Sequence, residues 1–105
     1  MVELQFLKLK KQKTMSFVLR FTPKGFTAAK YDEVIKQLNA AGAGAPKGRS
    51  YHVYFGDPNN LFVSDTWDNM EDFQEFGKTL VPIMQSLGLD PGQPVILPVH
   101  NAIVG

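Results

Sequence analysis

The chain is expected to fold as an α+β domain with elements in the order β-α-β-β-α-β. Three observations lead there. Residues 61–67 read as a strand that ends on Trp67 and runs straight into a capped amphipathic pattern. Tyr31, Val34, Ile35 and Leu38 stand at i, i+3, i+4 and i+7, the stripe of a half-buried helix. Gly56-Asp57-Pro58-Asn59-Asn60 separates two strand-like runs, which makes them an antiparallel hairpin.

Residues 16–21 form the first strand, with Phe17, Leu19 and Phe21 on one face and Val18 and Arg20 on the other. After the turn Thr22-Pro23-Lys24-Gly25, Thr27 caps a helix that runs to Asn39. Residues 40–48 are a Gly/Ala/Pro connection. Its Gly42-Ala43-Gly44 has neither glycine-rich phosphate spacing and follows a helix instead of opening one, so it reads as a loop. Strands at 51–55 and 61–67 follow, with Phe55 expected to pair with Leu61 across a five-residue turn. Asp68 or Asn69 then caps a second helix carrying Met70, Phe73, Phe76, Leu80, Ile83, Met84 and Leu87 on one side. Pro82 cannot donate to that helix, so a break is expected near 79–82. A turn at 90–94 leads to a last strand within 95–104.

Composition narrows the class. At 105 residues with 44% hydrophobic and 11% aromatic content, the chain is one folded domain. It has no cysteine, which excludes disulfides, thiolate nucleophiles and zinc–thiolate sites. No apolar run reaches the about 20 residues that span a bilayer, and no secretory leader opens the chain, so a cytoplasmic protein with no membrane partner is expected. Residues 1–14 carry four lysines against Glu3 and read as a basic arm, docked along a sheet edge or a partner, preceding the domain at 15–105. The domain itself has seven basic and nine acidic groups, a poor surface for nucleic acid.

Two strands each followed by a helix, plus a central hairpin, give a four-stranded antiparallel sheet with both helices on one face. Val18, Tyr54, Phe62 and Ile96 are expected on the other face. That is too much apolar surface to leave wet, which argues for a homodimer.

In this order the chain resembles the dimeric α+β barrel superfamily, whose subunits have a ferredoxin-like fold, and within it the antibiotic-biosynthesis-monooxygenase-like branch. The resemblance covers residues 16–103. It rests on Val63-Ser64-Asp65-Thr66-Trp67-Asp68-Asn69-Met70-Glu71-Asp72-Phe73, with Tyr31-Asp32-Glu33-Val34 and Val99-His100-Asn101 similar to small bacterial members. It implies two subunits closing their sheets face to face, and a ligand pocket between each sheet and its helices. Cofactor-free monooxygenases of aromatic polyketides, haem-degrading enzymes, isomerases and proteins of no known reaction share this architecture, so the fold does not settle function. The haem-degrading pattern does not carry over, because residues 70–87 hold no histidine and the first strand no asparagine. No cofactor is expected.

The Phe55–Leu61 pairing would put Tyr51, Val53, Phe55, Leu61, Val63, Asp65 and Trp67 on the helix side, and His52, Tyr54, Phe62, Ser64 and Thr66 opposite. Tyr51, Asp65 and Trp67 would then line a pocket, with Tyr31 as a wall. A carboxylate among aromatics resists ionising, which raises Asp65 toward useful proton transfer. The alternative is an Asp65 that hydrogen-bonds Tyr51 or an amide and only shapes the core. Trp67 is equally a ligand platform or core filling. His52 and His100, the only histidines, could meet across a dimer with Arg20, Ser64 and Thr66 nearby, as an acid–base or anion site or as a hydrogen-bonded seam. A metal is not expected, because Asp65, the one third ligand available, would face away from them. Asp65 and His52 are the catalytic candidates; Trp67, Tyr51, Tyr31 and His100 are the ligand-binding ones. A small, flat, apolar molecule, oxidised or isomerised without a cofactor, is the expected ligand, the alternative being a non-catalytic binding or assembly module.

Overall fold

The computed structural model describes residues 16–104. Its elements are β1 (Phe17–Phe21), α1 (Ala28–Ala40), β2 (Arg49–Asp57), β3 (Asn60–Trp67), α2 (Met70–Ser86) and β4 (Val95–Pro98). They make a four-stranded antiparallel sheet in the order β2-β3-β1-β4. This is the expected ferredoxin-like β-α-β-β-α-β order. The basic arm at 1–14 lies outside the described residues.

Both helices start where the sequence places their caps. The Thr27 hydroxyl accepts from the Lys30 amide at 3.2 Å. Asn69 Oδ1 accepts from the Asp72 amide at 2.8 Å, and Asn69 Nδ2 donates back to Asp72 Oδ2 at 3.0 Å. The helices share one side of the sheet. Phe17, Leu19 and Phe21 of β1 and Leu61, Val63 and Trp67 of β3 are buried against Tyr31, Val34 and Leu38 of α1 and Phe76 and Met84 of α2. Leu19 and Trp67 are wholly enclosed, and each contributes about 2–3 kcal/mol by the area it removes from water.

Two expectations fail, each for a physical reason. The second helix does not break at 79–82; α2 runs seventeen residues with Pro82 inside it. Phe76, Leu80, Ile83 and Met84 pack on the core on both sides of the proline, and that packing outweighs one lost backbone bond. The last strand, expected within 95–104, occupies Val95–Pro98, and just beyond it the Val99 amide still donates to the Ser16 carbonyl at 2.9 Å. The second failure is the register of the hairpin. Asp57 pairs with Asn60 across a two-residue loop, so Phe55 faces Phe62, not Leu61. Asp57 Oδ1 accepts from the Asn59 amide at 2.8 Å and shapes that tight loop. Gly56 belongs to the strand at φ +110, where a Cβ would come within 3.2 Å of the Phe62 ring.

This register reverses the faces of β2. His52 and Tyr54, opposite Asp65 and Val63, lie on the helix side. Tyr51, Val53 and Phe55 lie on the bare side. Ile96, opposite Leu19, also belongs to the helix side, and Val95 and Leu97 replace it. The face that no described residue covers therefore carries Val18 and Phe62 as expected, with Tyr51, Phe55, Val95 and Leu97 in place of Tyr54 and Ile96.

Candidate active site

The corrected register places His52 directly opposite Asp65, on the side the helices cover. Asp65 is only 3% exposed, the one buried charged residue among those described. Two donors converge on its carboxylate. His52 Nδ1 lies 2.5 Å from Oδ1, and the Trp67 indole N–H reaches Oδ2 at 3.4 Å. On the other side of the imidazole, Nε2 lies 2.6 Å from the Tyr31 hydroxyl. The three groups form one chain, Tyr31–His52–Asp65. Burial pushes the Tyr31 phenol up to about 12, with Tyr54 adding to the rise and Arg49 opposing it. Tyr31 therefore stays protonated and donates to Nε2, which leaves Nδ1–H to donate to Asp65.

The surroundings hold this chain in place. The Tyr31 ring stacks on Tyr54, with centroids 3.8 Å apart, and lies nearly parallel to His52 at 5.8 Å. Phe26 meets it edge-on at 5.9 Å. Trp67 lies behind Asp65, packed on Phe73 and Phe76 at 5.5 and 5.4 Å.

A cleft opens between the sheet and the helices, with Tyr31, His52 and Asp65 at its polar end and Phe76, Leu80 and Met84 among its apolar walls. It is narrow; about 40 Å³ is open to the centre of a water molecule, room for a few waters. Arg49, at the start of β2, also borders it. Ser50 forms a bulge that keeps Arg49 opposite Trp67, its Oγ donating to the Thr66 carbonyl at 3.3 Å. Gly48, at φ +87, accepts from the Asp68 amide at 2.7 Å and ties this corner to the start of α2.

Of the residues singled out from the sequence, Tyr31, His52, Asp65 and Trp67 meet here, and two do not. Tyr51 is not beside Asp65. It is 62% exposed and projects from the opposite face, because the two-residue loop shifts β2 by one position. His100 is exposed beyond β4, away from the cleft. His52 does not face the bare side with Arg20, Ser64 and Thr66, so it is not available to a seam there. The reason given against a metal changes too, since Asp65 and His52 share a face. Among the described residues no third ligand-type side chain joins them. Tyr54 and Arg49 were missed by sequence reasoning. The signal for Tyr54 lay in Asp57 and Gly56, which mark a tight loop and so set the parity of the strand; Arg49 reaches this side only through the bulge at Ser50, which no local pattern marks.

The chain shares its α+β fold with solved structures, an oxygenase and a candidate antibiotic biosynthesis monooxygenase among them. One is SnoaB, a cofactor-independent oxygenase from Streptomyces nogalater, at 19% identity and a TM-score of 0.56 over 85% of this chain and 95% of that one. A protein of unknown function from Nitrosomonas europaea matches at 18% identity and 0.56, over 88% and 94%. A candidate antibiotic biosynthesis monooxygenase from Caulobacter crescentus matches at 17% and 0.53, over 86% and 92%. No protein-family model and no curated protein matches the sequence. Among the described residues no helix is long and apolar enough to cross a membrane.

Proposed function

We propose that the protein is a homodimer that binds a small, flat, largely apolar molecule between sheet and helices and moves a proton on it through Tyr31, His52 and Asp65. The observation that carries this reading is the aligned chain Tyr31–His52–Asp65 bordering an apolar cleft. His52 Nε2 is the base. Asp65 holds the imidazole by Nδ1–H and stabilises the imidazolium that forms. Tyr31 turns its hydroxyl from Nε2 to the developing oxyanion of the substrate.

Cofactor-independent oxygenation is the preferred reaction, supported by the fold shared with SnoaB. An enolate formed by His52 gives an electron pair to O2 and forms a C–O bond, and the peroxide takes up a proton. Loss of water then breaks the O–O bond and the remaining C–H bond to leave a carbonyl. The narrowness of the cleft favours the second reading, a binding or assembly module without catalysis. Oxygen uptake with anthrone, a flat enolisable ketone, separates the two. Production of one anthraquinone and one water per O2, slowed about 100-fold or more in His52→Gln, is expected of the enzyme. Uptake no faster with protein than without it would leave the module.

A further inference from the structure

Arg49 sits where two spaces meet. With His52 it borders both the apolar cleft and an outer groove formed by Ala45, Pro46, Ser50 and Tyr51. Its guanidinium lies 5.7 Å from the centre of the Phe76 ring, and Nη2 donates to the Gly44 carbonyl at 3.3 Å. Among the described residues no carboxylate lies within salt-bridge distance of it. A guanidinium carries five N–H donors in a rigid fork, so most of its capacity faces the two spaces. The other polar groups of the cleft are already engaged with one another: Tyr31 with His52, and His52 and Trp67 with Asp65. Among the described residues Arg49 is the only cation bordering the cleft, and its charge is felt at the Tyr31 phenol.

We propose that Arg49 binds an anionic oxygen of the ligand at the mouth of the cleft, so the ligand is a flat aromatic carboxylate with its ring directed past Phe76 toward His52. This rests on the reading that the cleft takes a flat apolar molecule. The aromatic body lies along Phe76, Leu80 and Met84, while the carboxylate stays at the wet end, where the outer groove leaves it hydrated. A neutral analogue of the same shape keeps the apolar contacts and loses only the fork.

Calorimetric titration with 2-naphthoate and with its neutral isostere 2-naphthamide tests this. Wild type is expected to prefer naphthoate by about 10-fold or more, the range of a charge-assisted fork. In Arg49→Gln that preference disappears through loss of naphthoate affinity, with naphthamide unchanged. Arg49→Lys, which keeps the charge without the fork, retains part of it. Circular dichroism of both variants checks that they are folded. If naphthoate and naphthamide bind wild type equally, or Arg49→Gln keeps the preference, Arg49 is not the anion site although the cleft reading stands. Failure of both compounds to bind wild type overturns both.

Discussion

His52 and Asp65 occupy directly opposed positions of β2 and β3, and their side chains meet at 2.5 Å on the face the helices cover. Cross-strand opposition brings two side chains close with little freedom left to lose, so the pair is held by the ladder itself. The carboxylate is buried and receives Trp67 as well, so neither partner can be removed without stranding the other.

Asp65→Asn should therefore cost about 2–4 kcal/mol of stability, because the amide satisfies only one of the two donors. Denaturant midpoints measure the loss, and nitrogen chemical shifts of His52 should report a change of tautomer. An unaltered midpoint and tautomer would mean that the contact is not formed in solution.

Tyr31 makes stability depend on alkaline pH. Its folded value is pushed above the ordinary phenol value of about 10, so its contribution is complete below that point. The contribution falls as pH rises toward about 12, because the unfolded chain then releases the proton first. Urea unfolding between pH 9 and pH 11 should show wild type losing more stability than Tyr31→Phe. Parallel losses would refute the shift.

Pro82 lies exposed inside α2 and withholds one backbone bond. Replacing it with alanine should stabilise the protein by about 1–2 kcal/mol, the helix gain reduced by the freer unfolded chain. Chemical denaturation decides; a destabilised Pro82→Ala would point to a packing role for the ring.

The uncovered face, with Phe55 and Phe62 in contact at 5.5 Å and Val95 and Leu97 more than half exposed, is the surface of the proposed dimer. Leu97→Asp should shift sedimentation from dimer to monomer at micromolar concentration, by placing a charge in a desolvated interface. A wild type that already sediments as a monomer would remove the dimer from the proposal.

The order of the elements, both helix caps and the buried faces of β1 and β3 were legible in the sequence, because periodicity and capping act within a few residues. Asp65 and Trp67 were legible as neighbours for the same reason, being two apart on one strand. The partner of Asp65 was not. Whether His52 or Tyr51 meets it depends on the parity of the hairpin, and one residue in the loop reverses every side chain of β2 from Tyr51 onward. The persistence of α2 through Pro82 was likewise decided by what lay across the fold. Packing on the core is a contact between residues far apart in the chain. Local pattern says which face of each strand is apolar; only the assembled sheet says which faces coincide.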